Sequence, residues 1–335
     1  MKNLIAIILI VFLVSAAAGI KAKKHVKIAT IGAVSPVLDY NQPSQKLVEG
    51  MINFWKKELA QVLPDHPDLI VLPEVCTRPT GMNTETNKKY FEARGEQLTE
   101  YFASVAKENH CYIAFGAMRY DKNHNWRNSG ILLDRQGETA GIYDKVFPTI
   151  GAMERGTIAG KDAPVFECDF GRLAFAICFD LNFDELCERY AEQHPDIIVF
   201  PALYHGGLKQ ADWAYSCQSY FVGSIGIRNL PSEIRNPMGK IVATSTNYFH
   251  YTVATVNLDY CLAHLDNNWG KLREMKKKYQ EDVTIYDPGE IGAVLITSES
   301  DKVSAEEMAK EFEITLLNDY LNNSRQYRLK PGILK

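Results

Sequence analysis

The chain has 335 residues, of which 46% are hydrophobic and 23% are charged, with a formal net charge of -4 at pH 7. This composition is typical of a globular protein and allows one large α/β domain or two smaller ones. The near balance of charge, without a Lys/Arg stripe interleaved with aromatic residues, argues against a nucleic-acid-binding protein. We therefore expect the partner to be a small molecule or another copy of the chain.

Residues 1–22 differ from the rest of the chain. Lys2 precedes the apolar run LIAIILIVFLVSAAAGI, and small residues at 16–18 and 22 complete the pattern of a secretory signal peptide. The run is also close to the ~17-residue lower limit for spanning a membrane, so an uncleaved anchor is the alternative. We expect an exported protein, periplasmic or secreted, attached to the membrane through this segment if the signal is not cleaved.

Strand-like and helical patterns then alternate along the chain. Apolar, β-branched runs that are continuous rather than alternating predict strands buried on both faces. The predicted strands are 26–34, 69–74, 112–118, 129–134, 172–178, 196–203 and 251–258, and helical faces run through Val48–Leu59 and Leu98–Ala106. A capping box at Ser304 and Glu307 starts another helix, whose apolar stripe continues at Met308, Phe312 and Leu316.

This alternation predicts an α/β fold, and hairpin-like stretches such as 129–145 add antiparallel pairs. The sequence shows no internal repeat and no low-complexity linker. We expect one domain over 25–262, followed by a C-terminal extension over 263–335 that packs on the domain or on a partner copy.

Seven cysteines are spread singly along the chain, at 76, 111, 168, 178, 187, 217 and 261. No CxxC pair or Cys/His cluster occurs, which argues against a zinc site. Cys111, Cys187 and Cys217 lie in strand-like or helical segments and are expected to be buried small hydrophobic residues.

Three polar residues close predicted strands. Glu74 follows Pro73 at the end of LIVLPE, Lys145 follows GETAGIYD, and Cys178 closes RLAFAIC. Ligands of α/β sheets bind beyond the carboxyl ends of strands, so these residues could meet in one crevice. Taken singly, Glu74 and Lys145 could also be solvated rim charges, and Cys178 could be core filler.

A carboxylate, an ammonium and a thiol form a coherent catalytic set. A free thiol is mostly protonated at neutral pH, and a nearby carboxylate can take its proton and later return it to a leaving amine. A lysine ammonium favours the thiolate and stabilises the oxyanion formed when sulfur attacks a carbonyl. Water would then hydrolyse the thioester.

The contexts LIVLPE, YDK, AICFDLNFDEL, DIIVFPAL and RNPMGKIVATS resemble the nitrilase (carbon–nitrogen hydrolase) superfamily. The resemblance extends over most of the predicted domain. It implies an αββα four-layer sandwich whose subunits stack into an αββααββα dimer, and it implies neither cofactor nor metal.

The resemblance also implies roles for individual residues. Glu74 would be the general base, Lys145 the oxyanion-stabilising residue and Cys178 the nucleophile, with the Phe179 backbone N–H as a second oxyanion donor. Glu154, in GAMERG, is the candidate for a second glutamate found in family members, although it could be a surface charge.

The residues after the nucleophile point to the reaction. Nitrilases commonly have Cys-Trp-Glu, whereas the chain has Cys178-Phe179-Asp180, which favours an amide over a nitrile. Asp180 is expected to order the turn rather than to act in catalysis. Tyr204 and His205 fall where the family lines its substrate pocket, and an ordinary loop is the alternative.

The chain departs from the superfamily in ADWAYSCQSYFVGS, which keeps Trp213 but lacks the usual Arg and Glu-Asn. The leading hypothesis is a hydrolase that cleaves a non-peptide carbon–nitrogen bond of a small amide or N-carbamoyl compound through a Cys178 thioester. The alternatives are an acyltransferase that passes the acyl group to an amine, and a non-catalytic binding protein on the same fold.

Overall fold

The structure is a computed structural model that describes residues 24–333. The predicted signal peptide or anchor over 1–22 lies outside the described residues. Within 24–333, no helix is both long enough and apolar enough to cross a membrane.

The strands and helices follow the predicted α/β alternation. The strands are β1 His25–Ile31, β2 Leu69–Val71, β3 Tyr112–Tyr120, β4 Trp126–Leu133, β5 Thr139–Asp144, β6 Val165–Cys168, β7 Gly171–Phe175, β8 Ile197–Ala202, β9 Tyr220–Ile225, β10 Glu233–Arg235, β11 Ile241–Thr244, β12 Tyr251–Asn257, β13 Tyr260–His264, β14 Val283–Tyr286 and β15 Ala293–Ser298. The helices are α1 Ser44–Leu59, α2 Thr84–Arg94, α3 Gln97–Asn109, α4 Ile150–Glu154, α5 Asp184–Gln193, α6 Leu208–Ser216, α7 Trp269–Tyr279, α8 Ala305–Glu311 and α9 Leu317–Tyr327.

Two six-stranded mixed sheets form the centre of the fold. The first has the order β12-β1-β2-β3-β4-β5, and the second has the order β11-β10-β9-β8-β7-β6. In the first sheet β1, β2 and β3 are parallel, and in the second β7, β8 and β9 are parallel. The hairpin predicted over 129–145 is the antiparallel pair β4–β5.

The core has three apolar layers, so the central strands are covered on both faces. This explains why their sequence runs are continuously apolar. One cluster lies between the two sheets and includes Val71, Phe175 and Val199. Another packs α1 and α3 on the outer face of the first sheet, and a third packs α5 and α6 on the outer face of the second. The order is helices, sheet, sheet, helices, so the predicted αββα sandwich is confirmed.

The two sheets approach closely at a glycine. A Cβ added at Gly130 on β4 would lie 2.4 Å from Cδ1 of Phe175 on β7. Polar side chains also join the sheets, since Thr30 Oγ1 donates to the Gly223 carbonyl over 2.8 Å and Ser224 Oγ donates to the Ile31 carbonyl over 2.8 Å. The relative position of the sheets is therefore fixed by packing and by buried hydrogen bonds.

The C-terminal segment forms a third, smaller sheet of order β13-β15-β14, with α7, α8 and α9 around it. It has its own apolar cluster, which includes Met275, Ile296 and Met308. A second cluster joins Leu262, Leu295 and Leu317 to Met238 of the preceding domain. The predicted boundary at 262/263 falls inside β13, and the division into domain and extension stays a prediction.

The structure corrects one helical prediction. The capping box at Ser304 and Glu307 does start α8, but the helix ends at Glu311. Glu313 has a left-handed φ of 52°, which breaks the helical course. Phe312 is therefore the C-cap of α8 and Leu316 the N-cap of α9, so the predicted stripe spans two helices.

Candidate active site

Glu74, Lys145 and Cys178 come together beyond the carboxyl ends of the central strands. Lys145 directly follows β5, as predicted. Glu74 and Cys178, however, lie three residues beyond β2 and β7, whose hydrogen-bonded ladders end at Val71 and Phe175. The two side chains thus project from turns at the sheet edge, where the chain leaves regular pairing.

The Glu74 carboxylate is buried and held by two donors. Lys145 Nζ and Asn128 Nδ2 each donate to Glu74 Oε1 over 2.8 Å. The Lys145 backbone N–H donates to the Asn128 carbonyl over 2.8 Å, so the two donors also fix each other. The hydrogen bond from Asn128, on β4, to Glu74 could not be predicted from the sequence, because it depends on the pairing of strands that are far from Glu74 in the chain.

A glycine on β3 makes room for the glutamate. A Cβ added at Gly116 would lie 2.6 Å from the Glu74 Cα and 2.9 Å from the Pro73 carbonyl oxygen. The Gly116 N–H donates to that same carbonyl. Gly116 therefore lets the β2 end approach β3 closely enough to position the carboxylate.

Cys178 begins a short 3₁₀ helix, Cys178–Asn182, with a left-handed φ of 49°. This conformation is uncommon for a non-glycine residue and is often found at functional sites. Val75, directly after Glu74, has a φ of 47°, which is rarer still for a β-branched residue. Both turns at the site are therefore in strained backbone conformations.

Asp180 orders the turn around Cys178, as expected from the sequence. Its fully buried carboxylate accepts hydrogen bonds from the Ile177 N–H over 2.9 Å, the Phe147 N–H over 2.8 Å and the Tyr143 hydroxyl over 2.7 Å. Phe147 belongs to the segment that follows Lys145. Asp180 thus ties the cysteine turn of the second sheet to the lysine loop of the first.

The thiol is protonated at neutral pH. Burial raises the pKa of Cys178 to about 12, the negative charge of Glu74 adds to this, and Lys145 and the Leu203 N–H oppose it. Burial lowers the pKa of the Lys145 ammonium group, but the charge of Glu74, and that of a thiolate at Cys178 when it forms, raise this pKa above its ordinary value. The lysine favours the thiolate, as predicted, but its effect is outweighed.

Tyr204 and His205 have different neighbours. Burial raises the pKa of Tyr204 to about 12, and a thiolate at Cys178 would raise it further. The Tyr204 hydroxyl accepts from Asn182 Nδ2 over 3.4 Å. His205 instead faces Glu233, with 3.5 Å between its Nε2 and Glu233 Oε2.

The other two candidates are less enclosed. Glu154 is exposed at the last position of α4. Phe179 is half-buried directly after Cys178, and its ring packs edge-on against that of Phe183. Glu233 is buried, and its carboxylate pairs with Arg235 as well as His205.

A cavity of about 280 Å³ opens onto Glu74, with Val75, Arg78, Leu203 and Gly226 among its lining residues. It adjoins a larger one of about 530 Å³, and Ile227 is among the residues that border both. Within residues 24–333, no group of three or more His, Cys, Asp or Glu side chains is arranged to hold a metal ion.

The fold is an αββα sandwich. A cavity in it opens onto a glutamate that pairs with a lysine and lies beside a cysteine. Together these features define the class of carbon–nitrogen hydrolases. The carbon–nitrogen hydrolase family model matches residues 40–263, more than half of the chain, so the protein belongs to that family.

Curated relatives are similar to the chain in sequence, and solved structures are similar to it in fold. A formamidase of Bradyrhizobium diazoefficiens is 30% identical over 45% of this chain, and the match spans 44% of the formamidase, less than half its length. Nit3 of Saccharomyces cerevisiae, described as a nitrilase-superfamily member, has a TM-score of 0.58 at 19% identity, covering 72% of this chain and 93% of Nit3.

A variant of the amidase from Nesterenkonia sp. AN1 has the same fold, with a TM-score of 0.58 at 13% identity. The similarity covers 70% of this chain and 91% of the amidase. In that solved structure the acetamide moiety of fluoroacetamide is covalently added at the active-site cysteine.

Proposed function

We propose that the protein is an amidohydrolase that cleaves the carbon–nitrogen bond of a small amide or N-carbamoyl compound through a thioester on Cys178. The observation that carries this proposal is the buried Glu74–Lys145 pair, with 2.8 Å between its charged atoms, beside the thiol. A buried ion pair is weak evidence for stability alone, because desolvation offsets much of the Coulomb attraction. Its place next to a nucleophile gives it a catalytic purpose.

In the first half-reaction Glu74 takes the thiol proton as Sγ attacks the amide carbonyl carbon. A carbon–sulfur bond forms, and the carbonyl oxygen becomes an oxyanion held by the Lys145 ammonium and the Phe179 N–H. The oxyanion collapses, the carbon–nitrogen bond breaks, and the protonated Glu74 gives its proton to the leaving amine. One oxyanion donor is worth about 3 kcal/mol in comparable sites.

In the second half-reaction a water molecule attacks the thioester. Glu74 takes a proton from the water, the carbon–sulfur bond breaks, and the thiolate recovers the proton from Glu74. The products are a carboxylic acid and an amine, and the site returns to its starting state. The acetamide adduct on the active-site cysteine of the Nesterenkonia amidase keeps its amide intact, and it supports a nucleophilic cysteine in this fold rather than the attack on the carbonyl itself.

The test compares wild type with Cys178→Ala on a panel of amides, N-carbamoyl compounds and nitriles, followed by intact-mass measurement. We expect the wild type to release amine or ammonia from at least one amide and to show a transient acyl adduct on Cys178. The variant should show neither. Equal inactivity of both proteins across the panel would contradict the proposal.

The same experiment separates hydrolysis from acyl transfer. Hydroxylamine is added as a second nucleophile, and the ratio of hydroxamate to free acid is measured. A hydrolase releases mostly acid at low hydroxylamine concentration. Exclusive transfer, with no acid formed in its absence, would identify an acyltransferase.

A further inference from the structure

Arg78 lines the cavity that opens onto Glu74, four residues after the glutamate in the chain. Its side chain is half-buried. Among residues 24–333, no hydrogen bond or ion pair joins its guanidinium to another side chain or to the backbone. A guanidinium has donors on a planar fork, and removing it partly from water without a partner is costly.

Other buried or half-buried arginines have hydrogen-bond or ion-pair partners within the protein. Arg94, on α2, is buried and donates to Thr77 Oγ1 over 2.8 Å and to the Met118 carbonyl over 3.0 Å. Arg119 pairs with Asp144 over 2.8 Å, and Arg127 pairs with Asp121 over 2.9 Å. Arg78 differs from these arginines because it lines the cavity and has no hydrogen-bond or ion-pair partner among residues 24–333.

Glu74, the nearby carboxylate, is not a hydrogen-bond partner of the Arg78 guanidinium. Glu74 Oε1 already accepts from Lys145 and Asn128. Glu74 and Arg78 interact through their charges, which opposes the lowering of the Arg78 pKa by burial. Arg228 also lines the cavity, from an exposed position after β9, so the entrance is positively charged.

We propose that Arg78 binds a carboxylate of the substrate, so that the preferred substrate is a small amide that also carries a carboxylate. This inference rests on the proposed function for the amide end. Arg–carboxylate pairs are frequently bidentate and are stronger than neutral hydrogen bonds. A cavity of about 280 Å³ limits the substrate to a short acid, with the amide directed to Glu74 and the carboxylate to Arg78.

Binding is tested first, in the Cys178→Ala background, which removes turnover. The probes are succinamate, glutaramate and adipamate, each compared by calorimetry with its neutral diamide of the same length. We expect at least one monoamide to bind about 10- to 100-fold more tightly than its diamide, the range for a hydrogen-bonded charge. Equal affinity for every pair, or no binding of any monoamide, would overturn the inference.

The variant Arg78→Gln, in the same background, should abolish the preference for the monoamide, and Arg78→Lys should restore part of it. Arg325→Gln, on α9, is the matched control and should keep the full preference. Circular dichroism and thermal unfolding establish that each variant is folded. A preference that survives in folded Arg78→Gln would exclude Arg78 as the carboxylate-binding residue.

Kinetics with Cys178 intact then separate this inference from the proposed function. We expect Arg78→Gln to lower kcat/KM for the monoamide chiefly through KM, because the carboxylate is remote from the reacting bond. Hydrolysis of monoamides and diamides with equal kcat/KM would leave the proposed function standing and refute the carboxylate site. A carboxylate preference in binding, with no hydrolysis of any amide, would refute the proposed function alone.

Discussion

Cys178 combines a strained backbone with a neutral resting thiol. Its left-handed φ directs the start of the 3₁₀ helix, and burial together with Glu74 keeps the sulfur protonated. In the proposed mechanism the nucleophile is therefore generated during attack, when Glu74 receives the proton, rather than stored as a thiolate. Lys145 would then act mainly on the oxyanion and on the position of Glu74.

This description predicts the behaviour of Glu74→Gln. Removing the negative charge leaves Lys145 unopposed, so the apparent pKa of Cys178 should fall from about 12, and the thiol should react faster with iodoacetamide at pH 8. Amide hydrolysis should nevertheless fall by about 10²- to 10⁴-fold, since the general base is lost. The measurement is the pH dependence of alkylation at Cys178, followed by peptide mass spectrometry.

Cys168 provides an internal control for that experiment. It is a half-buried thiol at the end of β6, and burial raises its pKa to about 12 as well. Its alkylation rate should be the same in wild type and variant. Slower alkylation of Cys178 in Glu74→Gln than in wild type would contradict the proposed balance of charges.

The meeting of Glu74, Lys145 and Cys178 could be predicted from the sequence, because each follows a recognisable strand-like run; their catalytic roles stay a prediction. Asn128 and Arg78 could not be identified in that way. Asn128 reaches Glu74 only through the pairing of β3 with β4, and the lack of a partner for Arg78 is a property of the folded surroundings. Single polar residues in loops carry no local signal for such roles.

Among the secondary-structure elements, the strands of the two large sheets were the ones that the sequence predicted most fully. Continuous apolar runs predicted seven of the strands in the two sheets, and helical periodicity predicted α1 and α3. The ends of β2 and β7 were placed three residues too late, since apolarity continues past the last ladder pair. Pro73, which lacks an N–H, and the left-handed Cys178 explain why pairing stops earlier.

The close approach of β3 to the Glu74 turn gives a prediction at this scale. Gly116→Ala should lower the free energy of unfolding by about 1–3 kcal/mol, because its methyl group overlaps the Glu74 backbone. It should also lower kcat, since the carboxylate is displaced. Chemical denaturation and steady-state kinetics measure the two effects.

Gly270→Ala is the matched control for that substitution. Gly270 lies on α7, and a Cβ there would meet no atom within 4 Å. Alanine favours helix more than glycine does, so stability should be unchanged or slightly higher. Equal effects of the two substitutions would refute the role assigned to Gly116.

For the whole molecule, the αββα sandwich is established and the dimer remains a prediction. The edge strand β11 and the turn after it expose the apolar side chains Ile241, Val242, Tyr248 and Phe249. An exposed edge with such residues is typical of a surface that another chain covers. We expect light scattering at micromolar concentration to give twice the 37.8 kDa mass of the chain. A single-chain mass would contradict this prediction.

The two sheets divide the reactive residues between the halves of the chain. Glu74 and Lys145 follow strands of the first sheet, and Cys178 follows a strand of the second. If the proposed mechanism holds, neither half can carry out the reaction alone, even if it folds. A chain cut between β5 and β6 would recover activity only by fragment complementation, so catalysis reports directly on how faithfully the two sheets assemble.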